Sequence, residues 1–220
     1  MGRAASRDTV PSVIQNNGAE GTEQAATAGP FPADRPGDSA RVTLRPITAH
    51  DRDEFLGLVR ASTGLHHPWM SLPGTAEEFQ ALVTRYDQPT EECLLVCLRD
   101  TAAVAGVVYI NSVIRGRFQS GSVAYAAFAP TAGRGYMSEG LGLLLRHAFE
   151  ELRLHRLEAQ VQPGNTASLK LLRRHGFRKE GYSPDLLFID GAWRDHERWA
   201  ITAPMAGTRP TPPHHTQPAH

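Results

Sequence analysis

The chain has 220 residues, 40% hydrophobic and 21% charged, with 23 basic and 23 acidic side chains. That balance gives no long-range attraction to nucleic acid or an anionic membrane. No apolar run is long enough to span a bilayer, and the N-terminal arginines have no apolar block behind them, so no secretory signal is expected.

Residues 1–40 are rich in Ala, Gly, Pro, Ser, Asp and Glu and show no sustained period, which reads as a disordered leader. Residues 204–220 form a similar tail, where His214 and His215 read as solvated side chains rather than metal ligands. The folded part, 41–203, begins with a short strand at Arg41–Pro46. Thr48 and Asp51 then open a helix with Phe55, Leu58 and Val59 on its inner face. A loop at Gly64–Ser71 follows. Thr75 and Glu78 form a capping box for a helix whose buried stripe is Phe79, Leu82, Val83 and Tyr86.

Two strands, Glu92–Arg99 and Val104–Val113, turn at Asp100-Thr101. Cys93 and Cys97 share one face of the first as buried thiols; metal binding would need more ligands nearby, and none is expected. A third strand, Gly121–Phe128, leads into Gly133-Arg134-Gly135 and a helix with apolar residues at Met137, Leu141, Leu144, Leu145, Ala148 and Leu152. Glycines there let backbone approach a ligand, and the first helical N–H groups lack partners, which suits a pyrophosphate. Arg156–Pro163 alternates as a strand with one buried face. Asn165 opens a short helix that stops at Gly176. Asp190-Gly191 joins a final hairpin, Phe177–Ile189 with Ala192–Ala203, where Pro184 marks an interruption or an edge.

The motifs Gly133-Arg134-Gly135-Tyr136-Met137-Ser138-Glu139, His155-Arg156-Leu157-Glu158-Ala159, Asn165-x-x-Ser168, His175-Gly176-Phe177, Glu180-Gly181 and Asp190-Gly191-Ala192-Trp193-Arg194-Asp195-His196 occur in that order. Together they resemble the GNAT superfamily of acetyl-CoA-dependent N-acetyltransferases, and within it the ribosomal-protein-alanine (RimJ/RimL-like) branch. The resemblance spans roughly residues 41–203. It implies an α/β fold with a central mixed, mostly antiparallel sheet, helices on both faces and a strand-loop-helix pyrophosphate site.

The usual loop of that superfamily begins with Gln or Arg, where this chain has Pro130; Gly133 and Gly135 match. By the resemblance, Gly133, Arg134, Gly135, Tyr136, Met137 and Ser138 hold the acetyl-CoA pyrophosphate. Phe128 marks where the strand end pairs with pantetheine, and Asn165 bonds the cofactor arm. Two roles compete for Ser168: proton donor to the leaving sulfur, or a helix cap paired with Asn165. By the same resemblance the acceptor cleft is expected around His66, His67 and Trp69, which read equally as a packed tryptophan with solvated histidines; Asp185 is the nearest candidate base on the late strand, or a surface carboxylate. Glu139 reads equally well as a complement to the helix dipole, and Glu180 as structural.

The strand before the loop, Gly121–Phe128, carries no acid, where many relatives place a glutamate. An α-amine has a pKa of about 7.7–8.0 and lysine about 10.4, a gap of about 3.5 kcal/mol, so a peptide N-terminus needs far less help in losing its proton. The expected partners are therefore acetyl-CoA and a protein or peptide N-terminus, ribosomal by resemblance, acted on by a cytoplasmic monomer or homodimer. The alternatives are acetylation of a small amine, such as an antibiotic or polyamine, and a CoA-binding module without turnover.

Overall fold

The computed structural model describes residues 41–208. In chain order the elements are β1 (Val42–Pro46), α1 (Arg52–Ala61), α2 (Thr63–His66), α3 (Ala76–Arg85), β2 (Glu92–Leu98), β3 (Val104–Ile114) and β4 (Ser120–Ala127). Then come α4 (Tyr136–Arg146), β5 (Arg156–Val161), α5 (Thr166–Arg174), β6 (Arg178–Ile189) and β7 (Ala192–Thr202). The strands form one seven-stranded sheet in the order β1-β2-β3-β4-β5-β7-β6. Every neighbouring pair is antiparallel except β4 with β5.

The caps lie where their residue types place them. Thr75 Oγ1 accepts from Glu78 N at 3.2 Å, and Glu78 Oε2 accepts from Thr75 N. Before α1, the Asp51 carboxylate accepts from Thr48 N and Thr48 Oγ1, and a two-pronged pair with Arg45 of β1 fixes it. The expected loop at Gly64–Ser71 departs from the reading: its first residues close one helical turn, α2, because Ser62 O accepts from both Leu65 N and His66 N. Ser62 also ties this turn to the strand layer, since its Oγ accepts from Ala129 N at 2.9 Å.

One face of the sheet carries α1 and α3 over a core of Phe55, Phe79, Leu95, Tyr109, Ala126 and Phe128. Alternation sends the neighbouring residues Val96, Val108 and Tyr125 to the opposite face, where α4 and α5 lie. There Gly106 admits the first turn of α4: a Cβ on it would collide with Met137 Sδ and the Ala126 carbonyl oxygen. β3 is buried on both faces from Val104 to Ile110, as its unbroken apolar run predicts.

Asp190 and Gly191 both have positive φ, the backbone a two-residue hairpin turn requires. Pro184 lies on the edge strand β6, inside a register shift between Ser183 and Leu187. After β7 the chain turns back through Pro204–Thr208, where Thr208 N donates to Ala203 O. The expected leader and the rest of the expected tail, with His214 and His215, lie outside the described residues.

Candidate active site

β4 and β5 are the one parallel pair, and their pairing is short. Ser120, Gly121 and Ser122 align with Arg156, Leu157 and Glu158, and there the register stops. The two strands then diverge, although β4 continues to Ala127 and β5 to Val161. Ser122 Oγ donates to Gln160 Oε1 across the fork, at 2.9 Å. Phe128 N donates to Ala105 O of β3, so by alternation the main-chain groups of Tyr125 and Ala127 face the opening. An extended ligand laid in the fork meets main-chain donors and acceptors that no strand covers.

On the α4 side, the loop after β4 presents a run of backbone donors. The N–H groups of Gly133, Arg134, Gly135, Tyr136 and Met137 have no hydrogen-bond partner among the described residues. Gly133 and Gly135 have φ of 77° and 86°, left-handed backbone that costs an L side chain roughly 1–2 kcal/mol. The row opens onto the positive end of α4, the geometry that binds a phosphate-type anion. Arg41 braces the loop from below: its guanidinium reaches Arg134 O at 2.9 Å and Glu139 Oε1, and lies 4.7 Å from the Tyr136 ring centre. Glu139 is therefore held by a cation, and its carboxyl sits below the usual range because the Arg41 bonds outweigh the raising effect of burial. Ser138 Oγ lies 3.0 Å from His175 Nε2, a ring that burial keeps toward its neutral form.

Across the fork stands α5. Asn165 Oδ1 accepts from Ser168 N at 3.1 Å, so the capping role is real for Asn165. The Ser168 hydroxyl is not spent on that cap. It lies 2.7 Å from the phenol oxygen of Tyr125, which rises from β4. Burial pushes the Tyr125 phenol up to about 12, against the lowering effect of Ser168. Tyr125 thus stays protonated over the working range and can donate to Ser168 Oγ, which frees the serine proton for a second acceptor.

The opposite wall is made of side chains. Gln162, just past the end of β5, donates to Pro68 O and Trp69 O, both at 3.2 Å. The Trp69 ring packs so close to Gly164 that a Cβ there would stand 3.1 Å from it. His67 Nε2 meets Asp190 Oδ2 at 2.9 Å, which joins the loop after α2 to the tip of the β6–β7 hairpin. At the paired end of β5, away from the opening, Arg156 pairs with both Glu158 and Glu180. His66 is buried, and its Nε2 lies 2.8 Å from Ala127 O at the mouth of the fork.

The family described as an acetyltransferase (GNAT) domain matches residues 41–178. Bacillus subtilis YjcK, named a probable N-acetyltransferase, is 30% identical over 171 residues, covering 74% of this chain and 94% of that protein. The chain belongs to the GNAT acetyltransferase family.

It is an N-acetyltransferase of the GNAT type, and the seven-stranded mixed sheet is the GNAT fold. The Escherichia coli [ribosomal protein uS5]-alanine N-acetyltransferase is 39% identical over 105 residues, about half of each protein: 48% of this chain and 54% of that one. Mycobacterium smegmatis RimJ, solved with CoA-disulfide, superposes with a TM-score of 0.69 at 29% identity, covering 74% of this chain and 82% of that one. A Vibrio cholerae spermidine N-acetyltransferase has a TM-score of 0.67 at 20% identity, covering 76% of this chain and 99% of that one, a likeness of fold alone.

Within this GNAT domain the expected residues divide. Gly133, Arg134, Gly135, Tyr136, Met137, Ser138, Asn165 and Ser168 gather on the α4–α5 side of the fork. Two of the expected roles need correcting. The Phe128 N–H and C=O are occupied by Ala105, Thr131 N and Thr131 Oγ1, so the strand-end groups facing the fork belong to Ala127 and Tyr125. Asp185 lies on β6, with β7 between it and β5, which is roughly 10 Å from the fork by strand spacing. It is exposed at positive φ, and its N–H donates to Asp195, so it does not join the site.

His67 and Trp69 form part of the far wall. Tyr125 and the Arg41 brace went unread in the sequence. Alternation alone would have put Tyr125 on the α5 face, whereas nothing local links Arg41 to a glutamate 98 positions away.

Proposed function

We infer that this GNAT enzyme transfers acetyl from acetyl-CoA to the α-amino group of a protein or peptide in the cytoplasm, with a ribosomal-protein-like acceptor. The observation that carries the acceptor class is the composition of the far wall: of the wall residues His67, Trp69, Gln162 and Asp190, one is a carboxylate, and His67 bonds it. A polyamine needs several carboxylates along its path; a single amino terminus does not. The relationship to the uS5-alanine N-acetyltransferase supports the same acceptor.

The donors at 133–137 and the fork match what the cofactor requires: an anion cradle at a helix start, followed by a strand edge for an amide-bearing arm. Bound acetyl-CoA supplies an activated thioester carbonyl at the fork. The Ala127 N–H, turned toward the opening, is placed to donate to the carbonyl oxygen as negative charge grows on it. Ser168 Oγ delivers its proton to the departing sulfur, and Tyr125 bonds the serine oxygen from behind. The acceptor approaches from the side of His67 and Trp69, opposite the cofactor loop.

At pH 7 about one α-amine in seven is already neutral, against about one lysine in 2,500, so the α-amine is the easier nucleophile. The test incubates the enzyme with acetyl-CoA and short peptides differing in residue one, beside spermidine and other small amines, and weighs the products. Acetyl on peptide α-amines is the expected outcome. Product on small amines alone would discard this acceptor, and saturable CoA binding with no product would discard turnover.

A further inference from the structure

A GNAT site that handles a protonated amine needs a place for the amine's proton, and β4 offers no acid. The carboxylates near the fork are committed elsewhere: Glu139 to Arg41, and Glu158 and Glu180 to Arg156. Tyr125 is kept protonated by burial and faces Ser168. Ser122 donates to Gln160. His196 is buried on β7, with Nδ1 bonded to Arg194 O, and β5 separates it from the β4 edge.

One imidazole does touch that edge. His66 Nε2 lies 2.8 Å from Ala127 O, a carbonyl that turns away from β3 into the opening. A carbonyl only accepts, so Nε2 carries the hydrogen, and in the neutral ring the lone pair is on Nδ1. Nδ1 has no partner among the described residues and is not sealed from solvent. The ring is held by Ala127 and by the edge of Phe128 at a centroid distance of 6.1 Å, and its own turn, α2, is tied to Ala129 through Ser62. Such bracing fixes both the tautomer and the direction of the free nitrogen.

We propose that His66 is the general base of this enzyme, with Nδ1 taking the proton of the incoming amine on the acceptor side of the fork. The proposal rests on the transferase reading above. A protonated amine gives up two N–H protons in the reaction. One passes to His66 Nδ1 and then to solvent, which frees the nitrogen lone pair to form the C–N bond. As the C–S bond breaks, the sulfur takes the Ser168 proton, and the second N–H proton makes up that loss through solvent. No oxidant or further reactant is required. The base and the acid thus stand on opposite sides of β4, His66 reached from the α1–α3 face and Ser168 from the α4–α5 face.

The experiment uses the full chain, wild type and His66→Gln. Glutamine keeps an N–H at the position of Nε2, able to hold Ala127 O, but provides no base. First, ¹⁵N NMR of the imidazole of the cofactor-free wild type reads the tautomer without any turnover; hydrogen on Nε2 and a bare Nδ1 is expected. Second, kcat/KM is measured at fixed pH for a series of acceptor amines of rising pKa, drawn from whichever class the wild type accepts, peptide or small amine. His66→Gln is expected to lower it about 10²-fold for amines as basic as lysine and progressively less for weaker bases, the range of a lost general base. CoA affinity and Tm should stay at wild-type values.

A hydrogen on Nδ1, or a penalty independent of amine pKa, overturns the role of His66 while leaving the acetyltransferase reading intact. Transfer to small amines alone changes the acceptor class and leaves the slope as the test of His66. A wild type that acetylates no amine in the series overturns both.

Discussion

The two sides of the β4–β5 fork are built from different materials. The α4 side binds with backbone: consecutive N–H groups at 133–137, set by two left-handed glycines and a helix start. The acceptor side is walled by side chains drawn from three distant stretches: His66, His67 and Trp69 after α1, Gln162 past β5, and Asp190 at the hairpin tip. A backbone cradle depends on conformation and accommodates most sequence changes. A wall of paired side chains depends on identities and changes its preference with each one. The first suits a cosubstrate shared by a family, and the second an acceptor that differs from member to member.

The largest effect is expected where the two sides meet. On the proposed mechanism Ser168 protonates the leaving sulfur, so Ser168→Ala should lower kcat by about 10²-fold, the low end for general acid catalysis because a thiolate leaves readily. CoA affinity should hold, since Asn165 Oδ1 still caps the Ser168 amide. Tyr125→Phe should lower kcat by less, because Tyr125 acts through the serine. Stopped-flow release of CoA separates these outcomes. A larger loss in Tyr125→Phe than in Ser168→Ala would mean that the phenol, not the serine, protonates the sulfur.

Next in size is a stability effect on the acceptor side. Asp51 ties β1 to the start of α1, in the helical layer that carries His66. Burial raises its carboxyl pKa, yet the bonds from Arg45 and Thr48 win, and the folded value lies below the ordinary one. A depressed carboxylate contributes stability above its unfolded pKa of about 3.9, and that contribution is lost as pH falls through the folded value. Asp51→Asn should cost roughly 1.5–3 kcal/mol at pH 7, the worth of hydrogen bonds to a charge. The Tm gap from wild type should narrow as pH falls below about 3.9 and close once pH is below the folded value. A gap that does not narrow on acidification would show that the amide disturbs packing rather than charge.

The difference between the sides also decides what could be read from the sequence. Gly133, Gly135 and the apolar period from Met137 are local, so the strand, the glycine turn and the helix start are legible residue by residue. Asp190-Gly191 fixed the last hairpin for the same reason, and Pro184 its edge. Phe128 differs by one step of alternation: which edge of a strand is free depends on its neighbour, and Ala105 of β3 takes the Phe128 N–H. Asp185 is displaced because β7 inserts between β5 and β6, a crossover that no local signal records. The position of Tyr125 between Ala124 and Ala126 puts it on the α5 face. Ser168 showed both of its features, since the cap uses its amide and the tyrosine its hydroxyl.

A backbone cradle should be sensitive to conformation where it is insensitive to chemistry. Gly135→Ala meets left-handed strain of roughly 1–2 kcal/mol, and its Cβ would lie 3.2 Å from Arg41 Nη2. The strain is relieved when the free loop leaves the cradle conformation and binding must then restore it, so calorimetry should show CoA binding weakened by up to roughly 5- to 30-fold. Arg134→Ala alters only the side chain and should leave binding within about twofold, because the cradle uses the residue's N–H and Arg41 its carbonyl. A larger loss in Arg134→Ala than in Gly135→Ala would mean that the loop binds through charge, and the contrast between the two sides would fail on the cofactor side.

The smallest effect tests the acceptor wall. His67 and Asp190 are exposed, with 64% and 50% of their side chains accessible, so their pair is screened by solvent and salt. Asp190→Asn keeps a residue suited to the left-handed turn and removes only the charge. The loop after α2 then loses its tie to the hairpin, and peptide KM should rise less than about fivefold with kcat unchanged. A fall in kcat instead would mean that the hairpin tip positions the amine itself, and specificity would then reside in β6–β7 rather than in the stretch from His66 to Trp69.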